Sequence, residues 1–182
     1  MVKRLKREES ILMIVDVQER LVPAIHEAAQ VVHACVVLAQ AAQLLKIPLI
    51  VTEQYPEKLG ATMPEIVGVV NNYLPISKKQ FSAYTPEVID ILKKNSARNS
   101  VLLCGVEAHV CVQQTALDLL ANDFDVFVVR DAISSRIVAN AEIGWKRMIG
   151  AGAVPVSVES ALFELLQTAD STEFKAIHQL IK

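Results

Sequence analysis

An aspartate closes the apolar run ILMIVD at Asp16, a lysine closes LPISK at Lys78, and a cysteine follows the run SVLLCG within GVEAHVCV, at Cys111. These three side-chain types can together break a carbonyl bond. A thiol becomes a strong nucleophile as its thiolate, and a helix start beside a cation lowers the thiol pKa. A neighbouring carboxylate can take the thiol proton and pass it later to a leaving group. A lysine keeps that acid ionised and in position. Each residue also has a plainer reading. Cys111 at a helix start beneath a sheet edge suits inert packing, Asp16 suits a turn cap, and Lys78 with Lys79 suits a solvated pair. Against coincidence stands the joint placement: three residue types of one mechanism, at the ends of three separate strands.

Those strands belong to a regular alternation. Short apolar, β-branched runs at 11–16, 48–52, 74–78, 100–104, 125–130 and 153–157 are separated by segments of helical period near 27–46, 85–95, 110–122, 138–151 and 158–168, with an amphipathic one near 171–181. That is the pattern of βαβ units around a parallel sheet, an α/β fold. Thr85 before Pro86 reads as an N-cap with proline at the first helical position. In such a sheet, ligands bind outside the carboxyl ends of the strands. This rule picks out Asp16, Glu53 and Gln54, Lys78, then Glu107, His109 and Cys111, and Asp131 after the fifth strand. Cys104, inside a strand, and Cys35, on an apolar helix, read as packing. His109 reads as a pocket-lining or hydrogen-bonded histidine, because no second ligand sits near it at metal spacing. The stretch 53–70 is a long connection without a clear period. The helix 27–46 is apolar around most of its circumference, more than covering one sheet face requires. Either a homo-oligomer, dimer or higher, or a thick core within one chain accounts for the excess.

The chain has 182 residues, a net charge of -2 and 5% aromatic residues. Its length and 52% apolar content fit one domain, 1–182, that needs no disulfide to hold its core. Interspersed charges and few aromatics argue against nucleic acid as a partner. The three cysteines match neither a disulfide framework nor a zinc CxxC pair, so a reducing, cytoplasmic location is expected. ILMIV is too short for a signal h-region or a membrane span, so no membrane partner is expected. GxGxxG, GxxxxGK[ST] and GxSxG are all absent, which removes the glycines of dinucleotide and phosphate loops and weakens a serine hydrolase reading.

Over almost its whole length the chain resembles the isochorismatase-like cysteine hydrolases, a family that includes nicotinamidases and carbamoylamide hydrolases. The resemblance rests on LMIVDVQERL, with Asp16 and Gln18, on ISKKQFSAY, with Lys78 three residues before Phe81, and on LLCGVEAHVCVQQTALD, with Cys111. VTEQYPEKLGATMPEI is most similar to the small hydrolases named isochorismatase domain-containing proteins. The resemblance implies an isochorismatase-like, Rossmann-like three-layer α/β/α sandwich with a six-stranded parallel sheet. It implies Asp16 as general acid and base, Lys78 rather than Lys79 as its electrostatic partner, and Cys111 as nucleophile. It also implies a cis peptide at Val106–Glu107, turning the backbone N–H groups of Glu107 and Cys111 into an oxyanion hole, with Gly105 easing the turn. Where nicotinamidases hold zinc, this chain reads Thr52-Glu53-Gln54-Tyr55, so no metal and no cofactor are expected. Gln18, Tyr55, Phe81 and His109 are the expected pocket wall. The implied activity is hydrolysis of a small amide or related carbonyl compound through a thioester. The alternative is a binding or scaffold protein that keeps the fold without significant turnover. An RNA-processing enzyme is disfavoured by the missing basic and aromatic surface.

Overall fold

The apolar runs become β1 (Ser10–Val15), β2 (Leu49–Gln54), β3 (Ile76–Lys78), β4 (Ser100–Val106), β5 (Asp125–Ser134) and β6 (Val154–Val156) in a computed structural model that describes residues 2–182. All pair in parallel, in the order β3-β2-β1-β4-β5-β6. The two central strands, SILMIV and SVLLCGV, are buried at every position. A strand covered on both faces must be apolar throughout, which is why these runs do not alternate with polar residues.

The helices are α1 (Ala28–Leu44), α2 (Pro56–Leu59), α3 (Pro64–Val67), α4 (Pro86–Lys94), α5 (Gln113–Ala121), α6 (Val138–Gly150), α7 (Val158–Leu166) and α8 (Phe174–Leu180). Successive strand side chains point to opposite faces, and the core divides accordingly. Leu12, Ile14, Leu102, Cys104 and Phe127 pack with α1, α7 and α8, while Ile11, Met13, Val101, Leu103 and Val128 pack with α4, α5 and α6. The three-layer sandwich is therefore present. Among the described residues no helix is long and apolar enough to cross a membrane.

Helix α1 resolves one of the two open readings. It packs against the sheet on one side and against α3, α7 and α8 on the others, so Val31, Val32, Cys35, Val37 and Leu38 are all buried within one chain. Its apolar circumference has an intrachain cause. Thr85 caps α4 as its sequence implies, its hydroxyl accepting from the Val88 N–H.

The chain departs from its sequence reading at two places beside one another. Strand β5 continues four residues beyond the run DVFVVR, because its pairing with β4 shifts from Leu103–Val128 to Gly105–Ile133. The extra residues bulge, and Ser134 ends up beside Val106. Ahead of α5 the chain makes a π-helical turn, Ala108–Val112, where a continuous helix is expected from 110. Such turns carry one more residue than an α-turn and recur at functional sites.

The bulge lies on the β5 side of β4, and the π turn follows β4 where the strand order reverses, between β1 and β4. Gly105 makes that join possible: its φ is +139°, and a Cβ there would lie 2.2 Å from the Val15 carbonyl oxygen. Gly105→Ala is therefore expected to cost about 3 kcal/mol or more in unfolding free energy. Gly150→Ala, where an added Cβ meets nothing within 4 Å, should leave the urea midpoint unchanged or raise it.

Candidate functional site

Lys78 and Asp16 form an ion pair whose side chains are both 0% exposed, with Lys78 Nζ donating to Asp16 Oδ2 at 2.6 Å. The same ammonium donates to Gln54 Oε1 at 2.8 Å and to the carbonyls of Phe81 at 2.9 Å and Gln80 at 3.3 Å. The other oxygen of Asp16, Oδ1, accepts from the Thr52 hydroxyl at 2.8 Å. Sheet order produces this arrangement. Lys78 ends β3, Gln54 lies opposite it on β2, and Thr52 pairs with Val15 on β1. Asp16 then leaves the sheet with φ at 57°, a left-handed conformation that aspartate tolerates better than most residues. Lys79 points elsewhere, its ammonium 5.4 Å from the centre of the Tyr55 ring.

Cys111 sits in the π turn, 4% exposed. Thr115 holds this turn: its hydroxyl donates to the Cys111 carbonyl at 2.7 Å and accepts from the Ala83 N–H at 2.8 Å, tying the turn to the segment after β3. Helix α6 closes it from outside so tightly that a Cβ on Gly144 would lie 2.7 Å from the Cα of His109. Two expectations fail here. The helix start does not lower the Cys111 thiol. Burial pushes its pKa well above the ordinary value and the Asp16 charge pushes the same way, while Lys78 opposes both. Desolvation of an almost fully covered sulfur outweighs the partial charge of a helix end. Nor is the Val106–Glu107 peptide cis, since the described residues contain no cis bond. The chain turns instead through Glu107 itself, in a left-handed conformation at φ 56° and ψ 59°.

The remaining residues divide sharply. Gln18 spends its amide on backbone: Nε2 donates to the carbonyls of Gln54 and Gly60, and Oε1 accepts from the Gln54 N–H. It therefore pins the 53–70 connection. Glu53 does likewise, one oxygen accepting from the Thr62 N–H, the Thr62 hydroxyl and the Tyr73 hydroxyl. Burial pushes the Tyr73 hydroxyl pKa well above its usual range. Phe81 contributes its carbonyl to Lys78, and the residue is otherwise exposed. Tyr55 is half-buried under Lys79. His109 shares a hydrogen bond of 3.0 Å with the Ser135 hydroxyl. Asp131 lies away from the group, its carboxylate accepting from the Val158 N–H at the start of α7, because the bulge in β5 moves the strand end to Ser134. Thr52, Thr115, Ser135 and Arg136 are the members that sequence reasoning misses. Thr52 is detectable as the residue opposite the strand end, whereas Ser135 and Arg136 depend on the bulge. Among the described residues no three His, Cys, Asp or Glu side chains gather as a metal site.

Lys78→Met strands a buried carboxylate and is expected to lower the unfolding free energy by about 3–5 kcal/mol in urea titration. Lys79→Met should cost about 1 kcal/mol or less. For the thiol, alkylation of Cys111 should climb about tenfold per pH unit from pH 6 to 9, as a group whose pKa lies above this window gains thiolate steadily. A plateau below pH 8 would contradict the raised pKa.

Comparison with known proteins identifies the family. Residues 10–160 match the isochorismatase domain. The secreted isochorismatase effector Isc1 of Phytophthora sojae is 42% identical over 98% of this chain and 87% of its own length. The mouse isochorismatase domain-containing protein 2A is 39% identical over 98% of this chain and 85% of its own. Among solved structures, the MAR1 ribonuclease of Caenorhabditis elegans superposes with a TM-score of 0.94 at 38% identity, covering 98% of this chain and 92% of that one. With a matching domain over most of its length, a shared six-stranded parallel sheet and these relatives, the chain belongs to the isochorismatase family.

Proposed function

We propose that this hydrolase-fold chain cleaves a small amide or related carbonyl compound through a thioester on Cys111. The observation that carries the reading is the Asp16 carboxylate, fixed by Thr52 and Lys78, beside a thiol that burial keeps protonated. A thiol of this kind needs a base at the moment of attack. Asp16 takes the proton as sulfur adds to the carbonyl carbon. The donors to the oxyanion are the backbone N–H groups of Glu107 and Cys111, oriented by the left-handed turn at Glu107 in the absence of a cis bond at Val106–Glu107. The C–N bond then breaks as Asp16 returns the proton to the departing amine. Water, deprotonated by the same carboxylate, attacks the thioester, releases the acid and restores the thiol. No step calls for a metal or cofactor.

The C. elegans relative is named a ribonuclease. For this chain RNA is a poor fit, since Lys78 and Arg136 are each committed to a carboxylate and neither is free for a phosphate. Three free cysteines, with the Cys35 thiol donating to the Cys104 sulfur at 3.8 Å, fit the reducing, cytoplasmic setting expected from the sequence. If copies associate, the exposed Ile137, Val138 and Ile143 at the start of α6 are the surface a second copy would cover. A second reading, fold retained without turnover, draws on the closure of the site: the Asp16 and Lys78 side chains are 0% exposed.

Both readings meet in one assay. On a panel of small amides, Cys111→Ala is expected to abolish turnover and Asp16→Asn to reduce it about 10²–10⁴-fold, with an acyl adduct at Cys111 visible by intact mass after acid quench. Undiminished turnover in Cys111→Ala sinks the thioester mechanism, and absent turnover in the unmodified protein favours the second reading. RNA cleavage that disappears with Cys111→Ala would overturn the exclusion of RNA.

A further inference from the structure

Glu107 carries a buried oxygen with nothing to bind. Its side chain is 8% exposed, and Oε2 is the one buried side-chain oxygen or nitrogen among the described residues without a hydrogen-bond partner. Leaving a carboxylate oxygen dry and unpaired is unfavourable, and such a group in a folded protein requires a reason. Its neighbours do not supply one. Arg136 Nε donates to the other oxygen, Oε1, at 2.5 Å, from a side chain that is 61% exposed. Arg136 therefore holds the outer side of the carboxylate. His109 Nδ1 lies 3.4 Å from Oε2, within ion-pair distance, but the hydrogen bond of this nitrogen, 3.0 Å long, is shared with the Ser135 hydroxyl and leaves Oε2 without one. The left-handed backbone of Glu107 and the Arg136 contact fix the carboxylate at the entry to the π turn, four residues ahead of Cys111.

We propose that Glu107 Oε2 is the specificity-determining acceptor of this site: it takes an N–H from a substrate that is neutral or cationic and carries that donor within a bond or two of the carbon attacked. Primary amides and urea-like compounds have this chemistry. Carboxylates do not: they bring no N–H, and their oxygens would meet Oε2 acceptor against acceptor. Cys111 as the reacting atom comes from the proposed function, whereas the contact at Glu107 does not depend on turnover.

Three small electrophiles separate the terms. Iodoacetamide is neutral with an N–H, 2-iodo-N,N-dimethylacetamide is neutral without one, and iodoacetate is an anion. Second-order rates of Cys111 modification are measured by mass spectrometry for the unmodified protein and Glu107→Met, each normalised to glutathione. The expected result is an iodoacetamide-to-dimethylamide ratio on the order of 10-fold higher in the unmodified protein than in the variant. Discrimination against iodoacetate should shrink in parallel. The extra bulk of the dimethyl compound is common to both proteins and cancels. Equal ratios overturn the proposal. Should Glu107→Met fail to fold, Glu107→Asp carries the test: charge is kept but reach is shortened, so rejection of iodoacetate persists while the N–H preference disappears. A preference that survives in Glu107→Asp overturns the proposal as well. Coupling without any amide turnover would remove the hydrolase reading and leave this one standing. No modification of Cys111 by any of the three would remove both.

Discussion

The buried pair of Lys78 and Asp16 is the contact around which the carboxyl edge of the sheet is arranged. Taking an ammonium and a carboxylate out of water together is expensive, and their attraction repays it only if the remaining donors and lone pairs are also filled. Here they are: the ammonium meets one carboxylate, one side-chain amide and two carbonyls, and the carboxylate adds a hydroxyl. Asp16 follows β1, Thr52 and Gln54 lie on β2, Lys78 ends β3, and the two carbonyls come from the segment after β3. The pair thus demands that β3, β2 and β1 lie side by side, and that the chain beyond Lys78 curls back. Lysine suits this position because its long flexible stem lets the charge reach across an intervening strand.

The same pair determines the state of the sulfur. A cation near a thiol is commonly taken to make it acidic, but Lys78 is first of all the partner of Asp16, and the sulfur meets a nearly compensated pair in a dry setting. What remains is the desolvation of the thiol, which favours the neutral form. Reactivity in such a site comes from a proton acceptor placed in advance, with little anion standing in wait. This protects the sulfur from casual electrophiles and oxidants, which attack the thiolate.

Much of this was legible in the sequence. Six apolar runs and their intervening periods locate six strands, and the rule that ligands sit at strand ends already brings Asp16, Lys78 and Cys111 together. Where the reading fell short, the cause was not local. The lowered thiol pKa was argued from a helix start beside a cation, and tertiary burial outweighed both. Asp131 looked like a strand end because nothing in RDAIS announces that pairing with β4 resumes after a bulge. Gln18 looked like a pocket group and Glu53 like a strand-end candidate because their types are right, yet Gln18 is spent on backbone atoms and Glu53 on Thr62 and Tyr73, along a connection whose path periodicity does not reveal. The apolar excess of α1 was ambiguous for the same reason, since the covering helices come from distant parts of the chain.

The π turn at Ala108–Val112 sets a limit of a different kind. A helix advances by about 100° per residue, so losing the extra residue would swing everything after it by that angle. Thr115 would no longer face Ala83, and the buried side of α5, with Ala116 and Leu119, would leave its cluster. The interval from Gly105 to Thr115 is thus a fixed ruler. Retargeting this scaffold is open to exchange of side chains along that interval and closed to any change in its length.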